Sequence, residues 1–522
     1  MHTPPRELEL KFELDPADVG RIKRRLTLHS KNNSRTDQML VSVYFDTPDL
    51  VLGQRGVSLR VRRVGAHYVQ TITSGNGQAA RLFDGAEWEQ HIASPHPHLD
   101  QAKGTALEPL LNAQLIESLR PVFETRIRRT KYRFADHRSQ IKLALDQGEV
   151  DTGKCRSAVN ELELELVRGE PSGLFRLART LNEIAPLNLC VKPTAERGYE
   201  LLRDEINPVD TAPNIHLAPT ITTEKAFRVI GRGCLRQLIA NEPAMLAGNG
   251  EALHQMRVAL RRLRAAISVF SELVADSHSQ KVKTELRWMM AELGPARDLD
   301  VFLAEVLNPL RQQSPKEPGL AGICRDFERR RARAYKDAAA TVRSARFSTV
   351  LLNTSEWIEA GPWTSNNDDL LLLRRVQPIA LHAADELARR RKKFRKKKRT
   401  LKQFSAAERH KLRIRTKKLR YAIEFFADVF QGKKRAKRHK ATLSSLKDMQ
   451  GSLGALNDIA TRETLASHIA LSERHKSTRL GAQKRAFAAG VIFGSQEAHA
   501  EQLLDAAEIA RTKFLKVKPF WN

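Results

Sequence analysis

Alternation of apolar residues with polar or charged ones marks five short segments in the first 170 residues of the chain, most loosely at 140–146. These segments are 7–13, 57–62, 125–128, 140–146 and 161–166. Successive side chains of a β-strand point to opposite faces, so each segment predicts a strand with one charged and one apolar face. Helical periodicity lies between the predicted strands, at 15–28, 107–119 and 172–184. The pattern therefore predicts an α+β domain with many antiparallel strands.

The charged faces of these strands are sorted by sign. Carboxylates dominate 7–13 and 161–166, whereas arginines dominate 57–62 and 125–128. A solvated outer face is the ordinary explanation for any single strand. Segregation of the two signs across the whole set favours a common face that lines a closed barrel. There, carboxylates would hold a hard divalent cation and arginines would take phosphate oxygens, as phosphoryl transfer requires.

The second part of the chain contains an internal helical repeat. Residues 254–270 align with 410–426, and a following piece, 293–298, aligns with 453–458. At 100° per residue, the basic residues of each copy lie on one helix face and the Leu, Ile and Phe residues on the other. The repeat predicts two copies of a helical unit, each of about 150 residues.

Each copy of the repeat begins with a stripe of basic residues on one helix face, and the two stripes match position by position. They are His254, Arg257, Arg261 and Arg264 in the first copy and His410, Arg413, Lys417 and Arg420 in the second. A solvated basic face would explain one such helix, but the same positions in both copies favour an anion site. A histidine is neutral near pH 7 unless a bound anion raises its pKa, so each could gain charge as it binds phosphate.

The formal charge of the 522-residue chain is +29, and its distribution is uneven. Residues 1–210 contain 30 Lys+Arg and 29 Asp+Glu, so almost the whole excess lies beyond them. This asymmetry predicts that the second part binds a polyanion. A stretch rich in Pro, Asn and Thr marks the boundary. We therefore expect a domain at 1–205, a linker at 206–222 and a helical domain at 223–522.

Two dense basic runs, 389–399 and 433–440, leave two interpretations open. They could be solvated helix ends, or they could enlarge the surface that binds a polyanion, which would also attract nucleic acid through counterion release.

No apolar run of about 18 residues is present, so we expect no membrane span. The N-terminus lacks an apolar signal core, which predicts a cytoplasmic protein. Four widely spaced cysteines indicate reduced thiols. The oligomeric state stays open.

The first part resembles the CYTH domain, the triphosphate tunnel metalloenzyme family. The motifs that carry the resemblance are Glu7-x-Glu9-x-Lys11, Tyr44-Phe45-Asp46-Thr47, Leu59-Arg60-Val61-Arg62, Glu87-Trp88-Glu89, Phe123-Glu124-Thr125-Arg126, Leu145-Asp146-x-Gly148, Glu161-x-Glu163-x-Glu165 and Ala195-Glu196-Arg197-Gly198-Tyr199. The resemblance implies an eight-stranded antiparallel tunnel that hydrolyses triphosphates, or in some members cyclises ATP, with Mg²⁺ or Mn²⁺.

The resemblance also implies roles for individual residues. The expected metal ligands are Glu7, Glu9, Asp146, Glu161, Glu163 and Glu165. The expected phosphate-binding residues are Lys11, Arg60, Arg62, Arg126, Arg128, Lys142, Lys192 and Arg197. Glu7, Glu9 and Lys11 are the expected catalytic residues.

Three positions depart from the family pattern. Lysines usual in the family are missing near Thr73 and at Thr194, and Gly85-Ala86 replaces a common basic residue before Glu87. Strand parity would put Lys192 on the same face as Thr194, where it could substitute. A non-catalytic polyphosphate-binding protein with a degenerate tunnel therefore remains an alternative, as does a nucleic-acid binder.

The second part resembles the CHAD domain, through both histidine helices and both Leu-Gly-x-x-(Arg/Asn)-Asp pieces. The resemblance implies a pair of four-helix bundles around a basic cavity that binds inorganic polyphosphate. A CYTH domain followed by a CHAD domain is a known bacterial architecture, described as inorganic triphosphatase. We therefore expect metal-dependent hydrolysis of inorganic triphosphate coupled to polyphosphate binding, and association with polyphosphate granules is left open.

Overall fold

A computed structural model shows a β-sheet part followed by a helical part. It describes residues 8–29, 35–74, 86–136, 138–205, 207–212, 214–313, 318–395, 399–471 and 497–521. Glu7, a predicted metal ligand and catalytic residue, lies outside these residues. No helix within them is long and apolar enough to cross a membrane.

The described residues of the first part form one antiparallel sheet of nine strands. The strands are β1 Leu8–Glu13, β2 Thr36–Asp46, β3 Val57–Val64, β4 His67–Ser74, β5 Ala86–Ile92, β6 Arg120–Ala135, β7 Ser139–Asp151, β8 Arg156–Gly169 and β9 Asn188–Leu189. Their order in the sheet is β5-β4-β3-β2-β6-β7-β8-β1-β9. All five predicted strands are present. The resemblance implied eight strands, and the ninth is the two-residue β9.

Five helices accompany the sheet and thirteen follow it among the described residues. The first five are α1 Pro16–His29, α2 Val51–Gln54, α3 Ala113–Ser118, α4 Pro171–Asn182 and α5 Thr194–Arg203. The later ones are α6 Thr223–Ala240, α7 Glu242–Leu246, α8 Gly250–Val269, α9 Ser279–Glu292, α10 Gly294–Phe302, α11 Asn308–Gln313, α12 Pro318–Val342, α13 Ala345–Ala360, α14 Asp369–Val376, α15 Ile379–Arg395, α16 Ala406–Phe425, α17 Lys433–Leu471 and α18 Glu497–Lys516. The helix predicted at 107–119 is shorter, since only α3 and a 3₁₀ turn form there.

Strand register places most of the predicted charged residues on one face of the sheet. Directly paired residues of antiparallel strands share a face. Glu13 pairs with Glu161, which pairs with Asp146, and Asp146 pairs with Arg129. We call this side the concave face. It carries Glu9, Lys11, Glu13, Ser42, Tyr44, Arg60, Arg62, Thr71, Glu87, Glu89, Thr125, Arg129, Lys142, Asp146, Glu161, Glu163 and Glu165.

Strong curvature of the sheet brings distant strands together across this face. Strands β3 and β8 are four positions apart, which in a flat sheet is about 19 Å. Arg60 and Arg62 on β3 nevertheless help to lower the pKa of Glu163 on β8. Arg129 on β6 also reaches past β7 to Glu163, with 2.7 Å between Nη2 and Oε2. The sheet therefore curls so that its acidic and basic strands face one another.

The outer face of the sheet is apolar at both ends, where helices cover it. Leu10, Leu143 and Leu164 pack in a cluster that also includes residues of α1 and α4 and continues into the helical part. Leu59 and Ile72 pack in a second cluster that includes residues of α2 and α3. Apolar burial thus drives the outside of the sheet against helices and leaves the polar side chains inside the curl.

Helix α5 lies over the concave face and closes one end of it with aromatic rings. Tyr44 and Phe123 stack with centroids 4.4 Å apart, and Tyr199 of α5 meets Phe123 edge-on at 5.4 Å. A Cβ on Gly198 would come within 2.3 Å of the Phe123 ring, so only glycine lets α5 approach this closely.

The helical part begins each of its two repeat-bearing helices with a side-chain cap. Asn249 accepts from the backbone N–H of Ala252 at the start of α8. Ser405 and Glu408 form a capping box at the start of α16. Such caps satisfy backbone N–H groups that have no partner within the helix. The two repeat helices therefore start at defined points, and they contact each other.

The sheet and helical parts are joined by polar contacts as well as by the shared apolar cluster. Arg179 on α4 forms an ion pair with Glu356 on α13 and donates to Asn353. Arg236 on α6 donates to the carbonyl oxygen of Val191, 3.1 Å away. Helix α4 and the segment after β9 thus rest directly on the helical part.

Two candidate anion sites

Lys11 lies at the centre of an ion-pair network on the concave face. Its Nζ is 2.6 Å from Glu161 Oε2 and 4.0 Å from Glu163 Oε1. It also donates to the Thr194 hydroxyl at 3.4 Å. Burial opposes its charge, but Glu161 and Glu163 raise the pKa of Lys11 above its usual value. Lys11 therefore stays protonated and supplies a fixed positive charge.

Arg129 forms the second centre of this network. Its Nε donates to Asp146 at 2.8 Å, and its Nη2 reaches both Asp146 and Glu163. Arg197 of α5 completes the network, with Nη2 3.0 Å from the fully buried Glu161. Bidentate geometry of this kind fixes a guanidinium more firmly than a single hydrogen bond does. The acids of β7 and β8 are thus held by three cations.

Arg60 and Arg62 face this network from β3, as predicted. Arg60 Nη2 is 2.7 Å from Glu87 Oε1, and Arg62 Nε donates to Ser42 at 3.1 Å. Burial and the neighbouring Arg60 and Arg129 lower the pKa of Arg62 to about 10. Mutual repulsion between these arginines makes the site favourable for an anion.

Glu9 lies among other carboxylates at the far end of the network. It pairs in register with Glu165, and Glu163 follows on the same face. Burial and then the charge of Glu163 raise the pKa of Glu9 to about 8. A bound cation would relieve this repulsion, so the oxygen donors fit a hard divalent ion. Within the described ranges, however, no three His, Cys, Asp or Glu side chains converge to hold one.

The structure places two predicted phosphate ligands, Arg126 and Arg128, on the outer face. They are 58% and 57% exposed and pair with Glu124 and Asp37. This strip of the sheet has little cover, since the neighbouring Met39 is 61% exposed. These positions do not support the predicted role. The inward arginine of β6 is Arg129, which the sequence analysis missed.

Three other predicted phosphate ligands have different surroundings. Lys142 lies on the concave face and pairs with Glu165 at 3.1 Å, whereas Arg197 joins the central network. Lys192 instead pairs with Glu200 at 2.6 Å. Residues 190–193 are not a strand, so the parity argument that linked Lys192 to Thr194 does not apply. Thr194 itself contacts Lys11.

A second basic site is a cavity of about 980 Å³ in the helical part. Seven of the eight residues in the predicted stripes line it, from His254, Arg257, Arg261 and Arg264 on α8 to His410, Arg413 and Lys417 on α16. Its lining contains nine Lys or Arg side chains but one carboxylate, Asp298. The repeat thus brings its two basic stripes to one cavity.

Four further basic residues of this cavity were not predicted as ligands from the sequence: Lys283, Arg287, Arg297 and Lys418. Lys283 and Arg287 lie one helical turn apart on α9, a spacing that puts both on one face. Arg297 belongs to the second piece of the repeat. The one-turn spacing of Lys283 and Arg287 and the position of Arg297 in the repeat could both have been read from the sequence.

Arg420, the eighth predicted residue, is not among the residues that line the cavity in the described structure. Its guanidinium donates to Gln450 and pairs with Glu424 one turn later. The equivalent of Glu424 in the first copy is Ser268, which leaves Arg264 without that partner. The added carboxylate explains why the two copies differ.

Burial and neighbouring positive charges lower the pKa values of two cavity groups, His254 and Arg264. Burial, followed by the charge of Arg297, lowers the pKa of His254, and burial together with Arg287 lowers that of Arg264. Among the described residues, His254 Nδ1 and Arg257 Nε are buried with no hydrogen-bond partner. Such a site gains stability when it receives an anion with oxygen acceptors.

The basic run at 389–399 has structural contacts as well as charge. Arg390 pairs with Glu386 and donates to Ser268. Arg391 donates to the carbonyl oxygen of Leu515 and lies over the Phe514 ring. Both side chains are buried. A solvated helix end therefore does not describe these two residues.

Comparison with known proteins agrees with this architecture. The CYTH domain model matches residues 5–199 and the CHAD domain model matches residues 230–467. The chain thus carries a CYTH domain and a CHAD domain, which confirms the resemblance found in the sequence.

Individual relatives are more distant. An inorganic triphosphatase of Haemophilus influenzae is 27% identical over 200 residues, which are 37% of this chain and 54% of the relative. An uncharacterized protein of Mycobacterium tuberculosis is 25% identical over 323 residues, 57% of this chain and 58% of the relative. The chain thus matches somewhat more than half the length of these two relatives. The crystal structure of the CHAD domain from the plant Ricinus communis is 26% identical, covers 58% of this chain and 96% of its own, and has a TM-score of 0.46.

The contrast between Arg129 and Arg126 gives a direct test of the concave face. Arg129→Ala should lower the free energy of unfolding of the full chain by about 3–5 kcal/mol, because it leaves Asp146 and Glu163 buried without their cation. Arg126→Ala removes an exposed arginine from the same strand and should change little. Urea unfolding at neutral pH measures both.

The loss in free energy of unfolding caused by Arg129→Ala should become smaller as the pH falls toward 4. In the wild type, burial raises the pKa of both Asp146 and Glu163, and Arg129 opposes this rise. The net pKa is above its usual value for Asp146 and below it for Glu163. Its contribution is therefore present at neutral pH and lost as these acids become protonated. Equal midpoints for Arg129→Ala and Arg126→Ala would show that the register is misassigned.

Proposed function

We propose that the chain hydrolyses inorganic triphosphate, or a related triphosphate, at the concave face and binds inorganic polyphosphate in the helical cavity. One observation carries the first half of this proposal. Acidic strands β1, β7 and β8 face the arginines of β3 and β6 inside one curled sheet. The CYTH match and the Haemophilus influenzae relative support it. The predicted domains, 1–205 and 223–522 with a linker at 206–222, would divide the two tasks.

The side chains on the concave face could bind and orient a triphosphate. Arg60 and Arg62 present guanidinium groups to phosphate oxygens, and Lys11 adds a charge fixed between Glu161 and Thr194. Because its pKa is raised, Lys11 stabilises developing negative charge rather than donating a proton. Hydrolysis forms a bond from water oxygen to the terminal phosphorus and breaks the bridging P–O bond. Fixed cations favour this step because charge spreads over the phosphate oxygens.

A divalent ion, Mg²⁺ or Mn²⁺, would be held by Glu9 with Glu163 and Glu165 only after these side chains turn toward it, since no three such groups of the described residues already converge. When bound, such an ion neutralises phosphate charge and acts as a Lewis acid. Glu161 and Asp146 were predicted as ligands too, but they are buried against Lys11, Arg197 and Arg129. Glu163 and Glu165 also pair with Arg129 and Lys142, but their side chains are 21% and 27% exposed and could exchange these partners for the ion. We therefore assign these two acids to holding the cations. Glu7 stays a predicted ligand.

The helical cavity fits an extended polyanion better than a single phosphate. Its volume of about 980 Å³ is at the upper end of small-ligand sites. Its cations come from four helices, α8, α9, α10 and α16, so they surround the cavity on several sides. The CHAD resemblance predicts that the helices around this cavity form two four-helix bundles. A cytoplasmic location and association with polyphosphate granules stay predictions.

The non-catalytic alternative has its own structural support. The acids around Lys11 and Arg129 are already compensated, and the family lysines near Thr73 and at Thr194 are missing. A tunnel of this kind could hold a phosphate compound without turning it over. Nucleic acid is a weaker candidate ligand for the cavity. Displacement of bound DNA or RNA by polyphosphate at physiological salt would separate the two ligands.

Phosphate release from tripolyphosphate tests the catalytic proposal. The full chain with Mg²⁺ or Mn²⁺ should release phosphate, and Glu9→Gln should slow release by about 100-fold, since the ion and its Lewis-acid charge are lost. Glu117→Gln makes the same chemical change on the exposed surface of α3 and should have no effect. A wild type without phosphate release, or equal rates for wild type and Glu9→Gln, would favour the non-catalytic alternative.

The pH dependence of polyphosphate binding tests the cavity. In the free protein, the pKa of His254 is below its usual 6.5, so the ring is neutral at pH 7. A bound phosphate favours the charged ring, and binding therefore takes up a proton. Affinity for long-chain polyphosphate should rise as the pH falls from 8 to 6, by up to about tenfold for each unit of pKa shift.

Two histidine variants assign this effect to the cavity. His254→Gln keeps a hydrogen-bonding side chain but cannot ionise, so its pH dependence should be flatter in titration calorimetry. His278→Gln alters an exposed histidine outside the cavity lining and should leave the wild-type slope. The same slope for His254→Gln and wild type would remove His254 from the binding site.

A further inference from the structure

The segment that begins with β9 and ends at the first residue of α5 determines the surroundings of Lys11. We call residues 188–194 the connecting segment. Strand β9 pairs with the end of β1, the backbone N–H of Cys190 donates to the carbonyl oxygen of Lys11 at 2.8 Å, and Thr194 accepts from Lys11 Nζ. A shift of this segment would move both the backbone and the ammonium group of Lys11.

A residue of the helical part holds the connecting segment at its centre. Arg236 Nη1 donates to the carbonyl oxygen of Val191, 3.1 Å away. Val191 lies directly after Cys190, which bonds to Lys11. Burial raises the pKa of the partly buried Asp210 in the stretch before α6, and the charge of the Arg236 guanidinium opposes this rise. Arg236, which belongs to the helical part, therefore holds the connecting segment in place through a hydrogen bond.

The same helix is linked to the cavity helix α8. Gln237, next to Arg236, donates to Gln255 at 2.9 Å and accepts from Arg262 at 3.1 Å. Gln255 directly follows His254, which lines the cavity. Neighbouring side chains of α6 thus reach two different places. Gln237 contacts the cavity helix α8, and Arg236 contacts the connecting segment.

We infer that Arg236 is a positioning residue for the concave-face site. By fixing Val191, it holds Cys190 and Thr194 where they orient Lys11 between Glu161 and Glu163. This inference rests on the proposed function, because Lys11 matters for turnover only if the concave face hydrolyses a triphosphate. The hydrogen bond to Val191 itself does not depend on that activity, so it can be tested separately.

Kinetics of the full chain give the first test. Arg236→Ala should lower kcat for tripolyphosphate by roughly tenfold, since a small displacement of a charge-stabilising group has large effects. KM should change much less, because Arg60 and Arg62 still bind the substrate. Arg236→Lys keeps a donor and a positive charge and should restore most of kcat.

Arg179→Ala is the matched control at the same boundary. It removes the ion pair with Glu356 between α4 and α13 but no hydrogen bond to the connecting segment. Its kcat should equal that of the wild type. Equal losses in Arg179→Ala and Arg236→Ala would mean that general loosening of the boundary is responsible, and unchanged kcat in Arg236→Ala would also overturn the inference.

Reactivity of the Cys190 thiol gives a second readout that needs no turnover. Cys190 is partly buried, and burial raises its pKa, so a thiol reagent should label it slowly. In a Cys155→Ser background, which removes the exposed thiol, Arg236→Ala should speed labelling of Cys190 several-fold and Arg179→Ala should not. Peptide mass spectrometry assigns the labelled residue.

The two readouts separate failure of the inference from failure of the proposed function. If the wild type releases no phosphate while Arg236→Ala exposes Cys190, the proposed activity is wrong and the positioning contact stands. If Cys190 is labelled at the same rate in wild type and Arg236→Ala, Arg236 does not hold the segment.

Discussion

Charge compensation inside the curled sheet is the constraint on which the N-terminal part depends. Glu161 is completely buried, and an uncompensated carboxylate at such a position would cost several kcal/mol. Lys11 and Arg197 supply the opposite charge, and Arg129 does the same for Asp146 and Glu163. The sheet can keep a polar interior because its apolar residues face outward, against α1, α2, α3 and α4.

In the helical part, by contrast, the positive charges of the cavity are mostly not balanced by carboxylates among its lining residues. Nine Lys or Arg side chains line its cavity with one carboxylate. Burial, followed by repulsion from neighbouring cations, lowers the pKa values of Arg257, Arg264 and Lys418. The positive charges would be compensated by a ligand that arrives from outside. The net charge of the chain reflects this division, since the balanced part lies N-terminal and the excess lies in the helical part.

Much of this arrangement could be predicted from the sequence, because period-two and period-3.6 patterns report which side chains share a face. Lys11, Arg60, Asp146 and Glu161 were placed together correctly, and seven of the eight stripe residues line one cavity. Errors arose where two faces of a strand both carry polar residues. On β6, outward arginines alternate with Thr125 and Ile127, so the alternation agreed with the family resemblance in pointing to Arg126 and Arg128, which the structure places on the outer face.

Other features depend on contacts that local patterns do not contain. Lys192 was assigned by strand parity, but residues 190–193 are not a strand, and Lys192 forms an ion pair with Glu200. Arg420 leaves the cavity because of Glu424, which the alignment of the two copies could have flagged. Arg236 and Val191 are 45 residues apart, and their hydrogen bond forms because the fold brings α6 to the stretch that follows β9.

The most direct test of the central claim is to locate metal and phosphate in crystals of the full chain. The crystals would be grown with Mn²⁺ and a triphosphate analogue whose bridging oxygens are replaced by NH groups. Anomalous scattering should place Mn²⁺ on the concave face beside Glu9, with phosphorus density against Arg60 and Arg62. Phosphorus density confined to the helical cavity, with no Mn²⁺ on the concave face, would contradict the account.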